Sequence, residues 1–187
     1  MRARRRALAA GAILALALAL ALAGCAAGDE EPSQSASPPP TTSSASPSPS
    51  SEPEAAPLTI YYVLLGDEGA SGELLGCGDS IVAYETEPVA TDDPLSASME
   101  RLLSDPAREL ESGLYSAIPG GTLAYVGGDV VDGTVTVQLT GSPAPAGECD
   151  NPRIETQLKR TAMAAVDAAD AVVLVDGVPI EDLLSLK

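Results

Sequence analysis

Three cysteines, at positions 25, 77 and 149, and the complete absence of histidine set the chemistry open to this chain. Without an imidazole it lacks the usual general base and the commonest metal ligand, so neither a Ser-His-Asp nor a Cys-His triad can be assembled. Asp79 and Ser80 place an acid beside a hydroxyl. Neighbours on a strand point to opposite faces, however, and the pair reads as a turn followed by a solvent serine. Paired carboxylates for glycoside hydrolysis need two acids at a set separation across a cleft. Among 27 Asp and Glu, chance pairs are guaranteed and identify nothing. Calcium is the metal such a composition suits, and Asp129 with Asp132 is the best local pair, but no EF-hand-like spacing surrounds it. No catalytic residue, metal or cofactor is therefore expected.

Cys25 belongs to a different pattern. Met1-Arg-Ala-Arg-Arg-Arg6 sets positive charge ahead of an unbroken small and aliphatic run, Ala7 to Ala23, and that order marks an export signal. The run closes on Leu22-Ala23-Gly24-Cys25, which looks like a bacterial lipobox, where the thiol takes a diacylglyceryl group. Residues 1–24 are thus expected to be a lipoprotein signal peptide, and Cys25 the lipid anchor that holds the chain on the extracytoplasmic face of the cell membrane. A retained anchor helix is the second reading, because the run lies at the lower edge of what spans a bilayer. Arg5-Arg6 lacks the neighbours of a twin-arginine motif. From Cys25 to Pro57 the composition falls to Ser, Pro, Thr, Ala and a few acids, and no hydrophobic face can be drawn through it. Such a stretch reads as a disordered spacer, reaching about 30 Å as a coil and roughly 95 Å as stretched polyproline II.

Residues 58–187 remain as one domain of ordinary size. With no Phe, no Trp and five tyrosines, its core must be built from Val, Leu, Ile and Ala. Four of the ten basic residues lie in the leader, so the mature chain carries six against 27 acids, a net charge of -21. Nucleic acid is repelled by that field, as is an anionic lipid surface. In an oxidising compartment Cys77 and Cys149 are expected to pair as a disulfide; two free thiols are the alternative.

Leu58 to Leu65 has the β-branched and aromatic content of a buried strand, and Ser80 to Thr86 reads as a second strand pairing antiparallel with it. Asp92-Asp93-Pro94 starts a helix with Leu95, Met99, Leu102 and Leu103 on one face, ending near Asp105-Pro106. Gly113 to Thr122 looks like an ordered loop with one short turn of helix. Asp132-Gly133, preceded by Leu123–Val126 and Val130-Val131 and followed by the alternating Thr134–Thr140, is a strong hairpin signal that points Val135, Val137 and Leu139 inward. Pro152 opens a helix whose stripe is Ile154, Leu158, Ala162, Ala165, Val166 and Ala169, and Ala171–Val175 is a last strand before a turn at Asp176-Gly177 and a short terminal segment. The order β-β-α-β-β-α-β implies an α/β two-layer sandwich, a small mixed sheet of about five strands with two helices.

Asp93-Pro94 with Met99–Leu103, Gly113-Leu-Tyr-Ser-Ala-Ile-Pro-Gly-Gly-Thr-Leu123, Asp132-Gly-Thr-Val-Thr-Val-Gln-Leu139 and Val172-Val-Leu-Val-Asp-Gly177 together resemble the GerMN domain of spore-germination proteins and actinobacterial lipoproteins. The resemblance implies a non-enzymatic role in envelope assembly or in sporulation and germination, and it carries over no functional residues. The single copy and the added Cys77 and Cys149 depart from the germination proteins.

The loop from Glu111 to Thr122, held on a rigid scaffold, combines apolar side chains with glycine and proline. Leu114, Tyr115 and Ile118 are the residues expected to dock an envelope protein, with an exposed sheet edge as a second surface. A cell-wall glycan module is the rival, for which the stacking rings available are Tyr61, Tyr62, Tyr84, Tyr115 and Tyr125. Mass spectrometry of the isolated protein is expected to find a diacylglyceryl thioether on Cys25, with uncleaved precursor accumulating under globomycin.

Overall fold

A computed structural model describes residues 53–105, 108–110 and 112–185. The expected leader, Cys25 and the tether as far as residue 52 lie outside the described residues. Backbone hydrogen bonds between Ala56 and Val89, 3.1 and 2.8 Å, already attach the chain to the domain two residues before Leu58.

Strand β1 (Thr59–Leu64) turns Ile60 and Tyr62 into the core and pairs antiparallel with β3 (Asp79–Glu85), from Thr59 opposite Glu85 to Leu64 opposite Ser80. In the glycine-rich stretch between them lies a strand that no periodicity announces, β2 (Glu73–Leu75), paired with the start of β3. Gly72 permits that approach, since a Cβ there would meet the Ile81 carbonyl oxygen at 2.0 Å. Helix α1 (Pro94–Leu103) starts where its capping residues place it: the Asp93 carboxylate accepts the Ser96 amide at 2.9 Å and Pro94 occupies the first turn. Leu95, Met99, Leu102 and Leu103 form its buried face.

Strands β4 (Leu123–Val131) and β5 (Thr134–Gly141) are joined by Asp132-Gly133, both left-handed with φ of 50° and 79°, as the tightest hairpin turn requires. Val135, Val137 and Leu139 are buried. Helix α2 (Asp150–Val166) buries Ile154, Leu158 and Ala162, with Ala165 and Val166 half-buried against the core. Ala169 falls off that stripe, because Asp167 turns left-handed and ends the helix with its amide on the Met163 carbonyl. Strand β6 (Asp170–Val175) returns parallel to β5, and β7 (Val178–Pro179) with α3 (Ile180–Leu184) closes the chain, burying Ile180 and Leu184.

The class is α/β, sheet against helix, as the element order implies. The strands divide between two sheets, β1-β3-β2 and β4-β5-β6-β7, where a single sheet of about five was expected. The free edge of β1 is the reason. Thr161 Oγ1 of α2 accepts the Tyr61 amide at 3.0 Å, Gln157 Nε2 donates to the Tyr61 carbonyl at 3.1 Å, and Tyr115 makes two backbone bonds with Val63. With the amides and carbonyls of Tyr61 and Val63 satisfied from a helix and a loop, the middle of β1 has no group left for a strand of the other sheet. Gln157 is itself buried, and its Oε1 accepts the Ala117 amide at 2.8 Å, which fixes the 113–122 loop to α2. That loop contains turns and an isolated bridge, and the short helical turn expected there does not form among its residues.

Cys77 and Cys149 are joined by a disulfide, with Cα atoms 5.9 Å apart and 72 residues of separation. The bond ties the turn between β2 and β3 to the start of α2. Replacing both cysteines by serine is expected to lower the unfolding free energy by roughly 4 kcal/mol on the chain-entropy account, read from urea denaturation. Gln157→Leu is expected to cost about 2 to 4 kcal/mol in the same measurement, because it strands the Ala117 amide and the Tyr61 carbonyl.

Candidate functional site

Two arrangements of side chains converge near the 108–122 segment. The first is an ion cluster at the start of α2. Asp150 accepts the Ala146 amide at 2.8 Å, Arg108 Nη1 at 2.9 Å and Arg153 Nη1 at 3.0 Å. Arg153 also donates through Nε to Asp79 at 2.7 Å, and Asp79 accepts the Gly66 amide at 2.9 Å. Arg108 reaches the carbonyls of Ala117 and Ala144 at 3.2 and 2.8 Å. Burial works against the Asp150 carboxylate, but the Ala146 amide and then the two guanidiniums prevail and hold it below the usual carboxylate range. Every charge here has an internal partner, so the cluster is a clasp for four segments of chain.

Tyr115 belongs to this clasp. Its hydroxyl accepts from Arg108 at 3.0 Å and its ring lies 5.6 Å from the Arg153 guanidinium carbon. Ser80, expected in solvent, is 0 % exposed: its hydroxyl donates to Asp67 at 2.6 Å and accepts the Gly69 amide at 2.9 Å, closing the loop after β1. Asp79 and Ser80 do point to different partners, and both are buried. Ile118, expected at a docking surface, is 1 % exposed and part of the core. The reason is its neighbour Ala117, whose amide is drawn onto buried Gln157, so that the chain carries Ile118 inward.

The second arrangement is a groove. Helix α1 packs on β1 and β4 but leaves the end of β3 uncovered, so Tyr84 stands 40 % exposed although it pairs with buried Ile60. A hollow of about 650 Å³ opens there between Leu58, Val89, Ala97, Glu87 and Glu100. Tyr84 and Arg101 also line an adjoining hollow of about 390 Å³ whose far wall is Leu110, Ser112 and Leu114. The extended backbone at the Tyr115 bridge separates the neighbours, Leu114 toward the groove and Tyr115 toward the clasp. At the base, the Tyr62 hydroxyl donates to Asp105 at 2.5 Å, and Arg101 donates to the same carboxylate at 2.5 Å. Burial, then the hydrogen bond to Asp105, push the Tyr62 hydroxyl well above its ordinary range, so it keeps its proton at any physiological pH. Tyr84 meets Tyr62 edge-on, ring centres 5.9 Å apart.

Among the described residues no group of three or more His, Cys, Asp or Glu is placed to hold a metal ion, and no helix is long and apolar enough to cross a membrane. What the arrangement can do is bind: the groove offers an aromatic face, aliphatic walls and carboxylates. Of its residues the sequence pointed to Leu114. Tyr84 stood among five tyrosines with nothing to single it out, and its place at the end of a strand that outruns α1 is a tertiary fact.

The class these elements define is an α/β domain of sheet packed against helix. The chain belongs to the Germane family, described as sporulation and spore germination, whose model matches residues 59–181. Among solved structures it is similar to the tandem GerMN domains of the sporulation protein GerM from Bacillus subtilis, at 18% identity and TM-score 0.46, over 66% of this chain and 40% of that one. It is also similar to the first GerMN domain of the same protein, at 13% identity and TM-score 0.49, over 66% of this chain and 85% of that one. No curated protein matches the chain. GerMN domains are not known as enzymes.

The lowered Asp150 carboxyl gives the stability a pH dependence of definite sign. A group whose folded pKa is depressed contributes fully above its unfolded value, about 4, and loses that contribution as pH falls through the folded one. Asp150→Asn is expected to cost on the order of 2–3 kcal/mol at pH 7, and the gap to the wild type to shrink below about pH 4, measured by urea unfolding at both pH values.

Proposed function

We propose that this chain is a lipid-anchored, extracytoplasmic, non-enzymatic protein whose GerMN-type domain docks a protein partner in cell-envelope assembly through the groove between α1 and β3. The observation that carries the reading is an exposed tyrosine set in aliphatic walls, Tyr84 with Leu58, Val89 and Leu114. Aromatic side chains in such settings supply much of the energy at protein interfaces. The lipobox-like Cys25 and the Ser/Pro-rich stretch after it support a tethered domain that reaches partners away from the membrane. In this reading Leu114, which lines the groove, is a docking residue, and Tyr115 contributes by holding that segment in place.

The glycan reading keeps one observation in its favour, since the exposed Tyr84 ring borders polar Glu100, Arg101 and Ser104 and offers a face for a sugar. Photo-crosslinking in cells separates the two. Tyr84→Ala with Leu114→Ala is expected to remove a crosslinked protein band while leaving the thermal midpoint within a few degrees of wild type. An unchanged band pattern defeats the groove as the docking site. Retention of the domain on purified peptidoglycan, lost in the same variant, transfers the groove to the glycan reading.

A further inference from the structure

The groove's electrostatics specify the chemistry of its occupant, on the reading that it is a protein-docking site. Its walls are apolar at Leu58, Val89 and Ala97, and two carboxylates, Glu87 and Glu100, stand at its border. Neither is in an ion pair among the described residues; Glu100 accepts a hydrogen bond from the Ser96 hydroxyl at 3.0 Å, which holds it on α1. Arg101 is the one cation lining the groove among the described residues, and its charge is spent on Asp105.

The same holds throughout the described domain. Arg108 and Arg153 are paired with Asp150 and Asp79, Lys159 with Glu155 and Glu181, and Arg160 with Glu73. All five described cations are thus neutralised from within, and the acids in excess have no further cation among the described residues to answer them. A second copy would bring the same sign of charge to the groove, and anionic lipid would be repelled as well.

We propose that the groove receives a cationic amphipathic segment of the partner, in which lysine or arginine flanks an apolar side chain. The apolar side chain enters between Leu58, Val89 and Ala97. The cation reaches Glu87 or Glu100 and lies against the exposed ring of Tyr84, which meets the Tyr62 ring in a T-shaped contact. Paired charge across a partly desolvated rim gives the selectivity, and the apolar insertion gives the affinity.

The test uses the full chain isolated from membranes, in nanodiscs of zwitterionic lipid, titrated against a labelled dodecapeptide of alternating leucine and lysine. Fluorescence anisotropy is expected to report binding that weakens with salt, and a leucine–glutamate counterpart is expected not to bind. Glu87→Gln with Glu100→Gln should weaken the lysine peptide about tenfold. Asp129→Asn with Asp132→Asn, the same charge change on the β4–β5 hairpin, whose two acids line neither hollow, should leave affinity unchanged. Equal weakening by both pairs means diffuse attraction to an acidic protein and overturns the proposal, as does equal binding of the glutamate peptide. The in-cell crosslink distinguishes the two levels. If Tyr84→Ala with Leu114→Ala removes the band and Glu87→Gln with Glu100→Gln spares it, docking at the groove stands and the cationic occupant falls; if neither removes it, both fall.

Discussion

The carboxylate of Asp150 is the interaction on which the rest of this domain leans. It sits in the first turn of α2, where the helix dipole favours a negative charge, and it takes an amide and two guanidiniums at once. Through Arg153 it reaches Asp79 at the head of β3. Through Arg108 it reaches the carbonyls at Ala117 and Ala144, and Cys149, the residue before it, is bonded to Cys77. Four segments of chain, at Cys77–Asp79, Arg108, Ala117 and Ala144, are thus fastened to one helix end. A buried charge with this many partners offers limited net stabilisation over an apolar core, but leaving any one of them unpaired is costly, which makes the arrangement specific.

That clasp also explains how a groove can persist in a domain with so little aromatic mass. Phe and Trp are absent, and the core is a layer of Val, Leu, Ile and Ala closed by Tyr62 and Met99. Polar groups finish what the aliphatic core leaves open: Gln157 and Thr161 satisfy β1, and Tyr115 lies along it as a further strand would. Because Tyr115 is held by Arg108 and by Val63, Leu114 is presented to the groove from a fixed backbone. A side chain presented from a fixed backbone would lose little conformational entropy in any contact it made.

Charge divides along the same line. The few cations are consumed inside the domain in fastening loops and helices, so what faces solvent is predominantly acidic. Net charge of one sign disfavours self-association of such a domain. A surface of one sign also excludes many wrong partners at a distance and leaves a local apolar feature to choose among the remainder.

Local patterns in the sequence determined the two long helices, the Asp132-Gly133 hairpin, the inward residues of β5, the capping at Asp93 and the α/β class, because periodicity, capping and turn conformation are properties of neighbouring residues. Pairing of Cys77 with Cys149 was legible because few thiols were available to pair. Tertiary structure alone decided the division into two sheets, the burial of Ser80 and Ile118, the end of the α2 stripe before Ala169, and the exposure of Tyr84. Each of those depends on a partner many residues away: on whether Gln157 or another strand satisfies β1, on where Asp67 lies when Ser80 turns inward, on how far α1 extends over β3. A linear pattern records which side chains seek burial, but the order in which distant segments compete for the same backbone edge is settled only when they meet.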